Sequence, residues 1–421
     1  MLSAWGTVDN FQLPGQISSG LGAMATDAAG NVYAAGSVAT TSKQGIVREK
    51  LSGSSTWTTI EDSNLGGSLA FNSIAIDQAG DIYVGGTSNY NSSNSIDNHW
   101  IVLERPAGGS SFSIVDSYDT SGLSGAGVSG LAIDGAGNVF AVGQTNTTTT
   151  TGKGKNAVTK TEYYWTVRKQ AGGQGAFTTV DNYQSTTSSA DTPTCATAIT
   201  SGASAALYVA GYGGSTGEDW LVRKSTDAGA TWSVVDSFQY ASTYGSHAFA
   251  VAGDGAGDVY VVGNGNSASS AHWLVRESPN GGASWSTVDD YQLSAGAIAA
   301  AESVGTDLAG NVYVVGAAND GAGAHTIIRT NASGSWATVD DYQLVAGKPA
   351  SSHGFTVDPS GNLYAGGIAQ DSTGALHWIV RSAAGPTAPA MATAASVFSS
   401  AQIASTGTIT DLLHGHKRHR N

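Results

Sequence analysis

Cysteine and positive charge are scarce in this 421-residue chain. The single cysteine, Cys195, excludes an internal disulfide, and the absence of C-x-x-C or Cys/His clusters predicts neither a metal site nor a cofactor. Eighteen Lys and Arg against 32 Asp and Glu give a formal net charge of −14. This charge argues against nucleic acid or an anionic membrane as a partner, because both require a basic face. No apolar run approaches the roughly 18 residues of a transmembrane segment.

Proline is also scarce, with 8 residues, whereas glycine is abundant, with 57. The glycines follow no G-X-Y period and A/E/K/L/R heptads are absent, which excludes collagen and coiled coils. Ten Trp, 16 Tyr and 9 Phe carry more apolar surface than a disordered chain exposes. The composition therefore predicts a folded, glycine-rich domain.

A ten-residue pattern repeats along the chain, first as DAAGNVYAAG at residues 27–36. Further copies stand at residues 77–86, 134–143, 254–263, 307–316 and 358–367, and a degenerate copy ends at residues 207–211. The copies are about 50 residues apart and leave almost no sequence outside the pattern before residue 385. Such a period is typical of a repeat protein.

Each repeat predicts four short strands. An alternating apolar segment leads into a D-x-x-G turn, in which Asp bonds turn amides and Gly takes a positive φ. The second strand reads V-Y-x-x-G, the third H-W-L-V-R, and the fourth W-x-x-V-D-x-Y-Q. Turn signals every 8–12 residues without a helical period predict an all-β protein.

The two ends of the chain complete one repeat. The last repeat stops after its third strand, and the matching fourth-strand sequence, AWGTVDNFQL, stands at residues 4–13. We therefore predict a seven-bladed β-propeller of four-stranded antiparallel blades over residues 1–385, closed by the N-terminal strand (1–13) completing the last blade. The predicted blades span about residues 21–64, 70–119, 127–184, 194–239, 246–292, 300–344 and 351–382. Residues 386–421 read as an Ala/Ser/Thr-rich linker and a basic tail.

The segment STDAGATW, residues 225–232, resembles the Asp-box of bacterial neuraminidase (BNR-type) propeller repeats. Residues 278–285 form a near copy with Asn in place of Asp. The resemblance implies a structural hairpin turn at the edge of the ring, held by Asp227 and Gly229, with Trp232 packing inward.

The same resemblance raises the question of sialidase activity, which requires three arginines that clamp one substrate carboxylate. Most arginines instead occupy one repeated third-strand position: Arg48, Arg168, Arg223, Arg276, Arg329 and Arg381. Arginines spread around a ring cannot converge on one substrate. We expect them to pair with the acids repeated on the fourth strands and to set register and blade packing. No catalytic residue is predicted, and the chain is expected not to be an enzyme.

Specificity is expected where the repeats differ. The second-to-third-strand segments 87–98 and 144–163 are long and come from neighbouring blades. The predicted recognition surface consists of Tyr90, Lys153, Lys155, Lys160, Tyr163 and Tyr164. The alternative is a set of Ser/Thr-rich surface loops without a partner. His247 and His353, at the starts of first strands, are expected at one rim of the channel.

The sequence thus predicts a non-catalytic propeller scaffold that binds an unknown protein or glycan. One alternative is a glycan-processing hydrolase or lyase of the sialidase-like propeller type, with acids supplied by loops. The other is a structural subunit of a surface assembly, with self-association through the tail. Low Lys and high Ser, Thr and Gly favour a bacterial protein that is secreted or on the cell surface, although the first residues lack the regions of an intact signal peptide.

Overall fold

The computed structural model describes residues 4–13, 15, 18–39, 43–89, 99–118, 123–152, 157–185, 192–201, 204–214 and 218–386. Apart from one 3-10 turn, Ala171–Gly173, the regular structure of these residues is entirely β. The predicted basic tail lies outside the described residues. The strands are β1 (Gly6–Phe11), β2 (Ser18–Thr26), β3 (Val32–Ala39), β4 (Lys43–Lys50), β5 (Trp57–Ser63), β6 (Leu69–Ile76), β7 (Ile82–Ser88), β8 (His99–Arg105), β9 (Ser113–Tyr118), β10 (Leu123–Ile133), β11 (Val139–Thr151), β12 (Val158–Gln170), β13 (Thr178–Tyr183), β14 (Thr192–Ser201), β15 (Ser204–Gly213), β16 (Asp219–Ser225), β17 (Ser233–Phe238), β18 (Ser246–Gly253), β19 (Val259–Asn266), β20 (Ala271–Ser278), β21 (Ser286–Tyr291), β22 (Ala299–Thr306), β23 (Val312–Asn319), β24 (Ala324–Thr330), β25 (Ala337–Tyr342), β26 (Ala350–Val357), β27 (Asn362–Gln370) and β28 (Leu376–Ala384).

The strands form a β-propeller with five four-stranded blades. Blades 1 to 5 are β6–β9, β10–β13, β14–β17, β18–β21 and β22–β25, each an antiparallel meander. The remaining strands form one eight-stranded sheet in the order β26-β27-β28-β2-β3-β4-β5, with β1 also paired to β28. The first strand of each blade contacts the first strand of the next, and the eight-stranded sheet contacts blade 1 through β2 and blade 5 through β26. The sheets therefore close into a ring.

The prediction of seven four-stranded blades is wrong. The strands assigned to the first and last predicted blades belong to one sheet, because the backbones of Ser18 and Leu376 meet in a parallel bridge. A sequence repeat shows how many copies of a strand pattern the chain contains. The boundary of a sheet depends on hydrogen bonds between neighbouring strands, which a repeat does not reveal. The N-terminal strand β1 pairs antiparallel with β28, from Gly6 opposite Ser382 to Phe11 opposite Trp378.

Most repeats have one glycine in the D-x-x-G turn and one in the V-Y-x-x-G pattern, and the two are required for different physical reasons. Gly30, in the D-x-x-G turn, has a φ of +85°, a conformation that side chains with a Cβ resist. Asp27 holds this turn by accepting the backbone N–H of Asn31 at 2.8 Å. The glycine that closes the V-Y-x-x-G pattern, inside the second strand, is instead required by space. At Gly143, a Cβ would lie 1.8 Å from the carbonyl oxygen of Gly127 and 2.8 Å from the ring of Trp100 in the preceding blade.

The repeated arginines join neighbouring sheets, except for Arg48, whose partner Asp9 lies on β1 of the same eight-stranded sheet. Arg329 of blade 5 donates from Nε and Nη2 to the two carboxylate oxygens of Asp289 in blade 4, at 2.7 and 2.8 Å. Its Nη1 donates to Thr338 at 3.0 Å, and its guanidinium lies 4.0 Å from the centroid of the Tyr291 ring. The same forked pairing is charge-assisted and largely buried at most junctions. The arginine–aspartate pairs are Arg48–Asp9, Arg168–Asp116, Arg223–Asp181, Arg276–Asp236, Arg329–Asp289 and Arg381–Asp340.

The junction between the eight-stranded sheet and blade 1 departs from this pattern. Leu103 stands at the arginine position of β8, and it is buried. Arg105, two residues later, instead contacts Glu49 of β4 at 3.3 Å. Each arginine in the described part of the chain is therefore held by a carboxylate, and none of them is left to clamp a substrate.

We predict that Arg329→Met lowers the free energy of unfolding by about 3 kcal/mol, because it leaves the buried Asp289 carboxylate without its partner. Replacing both residues, as Arg329→Met with Asp289→Leu, should cost less than Arg329→Met alone. The control is Lys160→Met, which removes the exposed Lys160–Glu162 pair and should cost less than about 0.5 kcal/mol. Urea unfolding measures all three. Equal losses for Arg329→Met and Lys160→Met would contradict the structural role.

Candidate functional site

The predicted recognition surface is only partly within the described residues. Tyr90, Lys153 and Lys155 lie outside them. The remaining predicted contacts, Lys160, Tyr163 and Tyr164, lie on β12. Most of the segment expected to be a loop is strand, because β11 and β12 stay paired from Val139–Gln170 to Thr151–Val158.

The positive charge expected on this β11–β12 hairpin is offset locally. Lys160 Nζ lies 2.7 Å from Glu162 Oε1, and the Tyr164 hydroxyl donates to Glu162 Oε2 at 3.1 Å. These hydrogen bonds lower the pKa of Glu162. A binding role for Lys160, Tyr163 and Tyr164 stays a prediction.

The segment that resembles an Asp-box forms the turn between β16 and β17. Asp227 accepts the backbone N–H and the hydroxyl of Thr231, at 2.8 and 2.6 Å, which lowers the pKa of Asp227 to about 2. Gly229 has a φ of +87°, and its carbonyl accepts the indole N–H of Trp232 at 3.0 Å. The turn joins the end of a third strand to the start of a fourth. It therefore lies at the rim opposite to the one at which the first strands begin.

At that other rim, one junction departs from the repeat. Each first strand has a β-bulge where it pairs with the second strand. The residue two positions before this bulge is small in every first strand except that of blade 4, where it is His247. The position after the glycine of the V-Y-x-x-G pattern in the second strand carries Tyr212 in blade 3. The residues equivalent to His247 are Gly20, Ala70, Gly127, Thr192, Ala300 and Ser351, and those equivalent to Tyr212 are Ser37, Thr87, Gln144, Asn264, Ala317 and Ile368.

The repeat places these two positions against each other across a junction. At the junction of blades 1 and 2, a Cβ on Gly127 would lie 2.5 Å from Cγ2 of Thr87. At the junction of blades 3 and 4, both positions carry rings, and the centroids of Tyr212 and His247 lie 4.2 Å apart with a 40° tilt. The junction therefore presents a phenol and an imidazole side by side at the rim.

Glu218 completes this cluster from the loop between β15 and β16. Its Oε2 lies 2.9 Å from His247 Nε2, and the side chains of His247 and Glu218 are 20% and 28% exposed. When Nε2 carries the proton and donates it to Glu218, Nδ1 of His247 keeps the lone pair of a base. Glu218 has a φ of +60°, a left-handed backbone that is costly for a residue with a Cβ and is concentrated at functional sites. We call Tyr212, Glu218 and His247 the rim cluster.

Phe249 adds an apolar surface beside the rim cluster. It is the bulged residue of β18, and its ring centroid lies 6.1 Å from that of His247. The bulged residues Asn72, Thr194 and Glu302 of other first strands are buried, whereas Phe249 is half-buried. An accessible aromatic face next to titratable groups is typical of a site that binds a small molecule or a sugar.

His353, expected at the same rim as His247, has a different environment. It occupies the bulge of β26, where it is 8% exposed, and its Nε2 lies 2.8 Å from the Ser351 hydroxyl. Its Nδ1 is buried without a hydrogen-bond partner. Burial lowers the pKa of His353 to about 4. The two histidines are therefore not brought into one site.

We predict that His353 makes the protein less stable in acid. The imidazole is neutral in the folded chain down to about pH 4, whereas in the unfolded chain it binds a proton below about pH 6.5. Its contribution is therefore present above pH 6.5 and is lost as the pH falls to 4, by about 3 kcal/mol in total. Urea unfolding at several pH values should show a shallower acid loss for His353→Gln than for wild type. His325→Gln is the control, and an unchanged slope in His353→Gln would contradict the prediction.

Two further classes of feature are absent from the described ranges. No group of three or more His, Cys, Asp or Glu side chains there is arranged to hold a metal ion. No helix within those ranges is long and apolar enough to cross a membrane.

Comparison with known proteins shows the fold. No protein-family model and no curated protein match the chain. A solved polysaccharide lyase, an ulvan lyase, is similar with a TM-score of 0.52 and 8% identity, over 88% of this chain and 95% of that one. The NanB sialidase of Streptococcus pneumoniae is similar with a TM-score of 0.45 and 13% identity, over 90% and 70% of the two chains. A protein of unknown function from Dyadobacter fermentans has a TM-score of 0.47 and 10% identity, over 75% and 95%.

The expectation that this chain is not an enzyme is corrected by the likeness to the ulvan lyase. Its main support was that the arginines are spread around the ring. The ulvan lyase shares the fold at a TM-score of 0.52, so this fold occurs in an enzyme that cleaves a polysaccharide. Because the described arginines are paired with carboxylates, they cannot form the arginine clamp of a sialidase. Catalysis by other side chains does not depend on them. Sialidases are among the neighbours of this propeller, but no family model matches the Asp-box segment.

Proposed function

We propose that this protein is a polysaccharide lyase that cleaves a chain containing uronic acid at the rim of blades 3 and 4. The observation that carries the proposal is the rim cluster, in which an imidazole held by a carboxylate lies against a phenol at two positions where the other repeats mostly have small side chains. The fold shared with an ulvan lyase supports the same class of reaction.

The rim cluster has a general base and a general acid for a β-elimination. His247 Nδ1 removes the proton at C5 of the uronate, next to the carboxyl carbon, and the hydrogen bond to Glu218 stabilises the imidazolium that forms. The electrons of the C5–H bond form the C4=C5 double bond while the C4–O4 bond breaks. The Tyr212 hydroxyl gives its proton to the departing O4. Phe249 offers its face to an adjoining sugar ring.

Hydrolysis is a poorer fit to the same groups. A glycosidase of the common type places two carboxyl groups about 5–10 Å apart on either side of the bond. Here the carboxylate in contact with the ring pair is Glu218, and it is hydrogen-bonded to His247. The sialidase mechanism requires an arginine clamp, and the described arginines are engaged by carboxylates of the fold.

The substrate and the location follow from this reaction class. One solved ulvan lyase of this fold is bound to a polymer of glucuronic acid and rhamnose 3-sulfate, which makes ulvan the first polymer to test. Polysaccharides do not cross a bacterial membrane intact. We therefore propose that the protein acts outside the cell or at its surface.

The test is ultraviolet absorbance of the unsaturated uronate product during incubation with a panel of native and desulfated ulvan, alginate and pectate. We predict that one polymer gives this product, and that His247→Gln lowers kcat/KM by about 10² to 10⁴. Tyr212→Phe should lower it by about 10². His325→Gln, at a histidine of another blade that also contacts a carboxylate, is the matched control and should stay within twofold of wild type.

Two results would overturn the proposal. One is the absence of unsaturated product from every polymer of the panel, and the other is full activity of His247→Gln. New reducing ends without unsaturated uronate would indicate a hydrolase in place of a lyase.

A further inference from the structure

A second cluster lies on the same rim of blade 4. The hydroxyl of Tyr240 donates to Asp290 Oδ2 at 3.0 Å, and His272 Nδ1 lies 2.7 Å from Asp290 Oδ1. The rings of Tyr240 and His272 are 4.6 Å apart with a 33° tilt. Both carboxylate oxygens of Asp290 thus have a partner that fixes their orientation, while its side chain stays 41% exposed.

The repeat shows which part of this cluster is specific to blade 4. The contact of the third-strand histidine with a fourth-strand side chain recurs at His325–Asp341 and His377–Asn10. Tyr240 does not recur. The equivalent residue after the fourth strand is leucine in four other repeats, at Leu13, Leu65, Leu293 and Leu344, and serine in another, at Ser185. Since the same fold accommodates leucine there, the tyrosine hydroxyl is not needed for the packing of a blade.

The backbone of blade 4 makes room for this tyrosine. A Cβ on Gly265 of β19 would lie 2.4 Å from the Cβ of Tyr240 and 2.6 Å from Leu274. Gly265 pairs with Ser246 of β18 and with His272 of β20. Tyr240 therefore packs over the ends of β18, β19 and β20 that lie at this rim.

Ser246 connects the second cluster to the rim cluster. Its hydroxyl accepts the backbone N–H of Tyr240 at 2.9 Å, and its own N–H donates to the carbonyl oxygen of Glu218 at 2.8 Å. Ser246 directly precedes His247. The two clusters are therefore neighbours on one surface, at the junction of blades 3 and 4.

We infer that Tyr240, His272 and Asp290 form a subsite for an uncharged sugar next to the uronate that is cleaved. The inference rests on the proposed function and specifies its substrate class. An aromatic face packs against a pyranose ring, and a fixed carboxylate accepts hydrogen bonds from neighbouring sugar hydroxyls. The same carboxylate repels a sulfate or a second uronate. The subsite therefore selects polymers in which the uronate adjoins an unsulfated neutral sugar.

Native and desulfated ulvan test this selection, since they differ only in the sulfate on the neutral sugar. Binding is measured by affinity gel electrophoresis in the His247→Gln background, so that no turnover intervenes. The parent should bind desulfated ulvan at least fivefold more tightly than native ulvan. Tyr240→Leu, which installs the residue that four other repeats have, should weaken binding of desulfated ulvan about tenfold. Asp290→Asn should reduce the preference to less than twofold.

Asp341→Asn is the matched control, because it alters the equivalent His–Asp pair of blade 5, where the tyrosine is replaced by Leu293. It should leave both affinities unchanged. Thermal unfolding of Tyr240→Leu should be close to that of the parent. The inference is overturned if neither polymer binds, or if Tyr240→Leu and Asp290→Asn bind both polymers as the parent does.

The two proposals fail in different ways. Binding that depends on Tyr240, together with no cleavage by the wild-type chain, would overturn the lyase and keep the subsite. Cleavage that depends on His247, with rates on both polymers unaffected by Tyr240→Leu and Asp290→Asn, would overturn the subsite and keep the lyase.

Discussion

The forked pair between an arginine of one sheet and an aspartate of the sheet before it is the constraint on which the ring depends. A guanidinium that contacts two carboxylate oxygens and an aromatic face fixes both the separation and the rotation of neighbouring sheets. The arginines are thereby committed to the architecture. Any chemistry on the surface has to come from other side chains, and imidazole, phenol and carboxylate are the groups found at the rim of blades 3 and 4.

A ring built from near-identical junctions makes its exceptions informative. Most positions equivalent to Tyr212 and His247 carry small side chains, which allow sheets to approach closely at the rim. At the junction of blades 3 and 4, two rings lie against each other and Glu218 has a left-handed backbone beside them. The packing of the other junctions needs neither feature. Local cost without a local structural gain is the usual mark of a functional site. The subsite around Tyr240 follows the same logic, since leucine or serine is sufficient at other repeats.

The sequence repeat predicts the strands, the D-x-x-G turns and the position of the repeated arginines, because each depends on local spacing. It does not predict the eight-stranded sheet, since the bridge between Ser18 and Leu376 joins residues from opposite ends of the chain. The β11–β12 hairpin was expected to be a loop, although its threonines are good strand formers and pair across it. The rim cluster was missed because contacts between Tyr212, Glu218 and His247 arise only when two blades meet. Comparing aligned repeats for departures in size and charge would have revealed it.

The most direct test is a crystal structure of the His247→Gln variant with an oligosaccharide from the polymer that the wild-type chain cleaves. The account predicts a uronate between the side chains at positions 212 and 247, with its C5 facing position 247 and a neighbouring sugar against Tyr240. An oligosaccharide bound elsewhere, such as on the β11–β12 hairpin or at the opposite rim, with the junction of blades 3 and 4 empty, would contradict it.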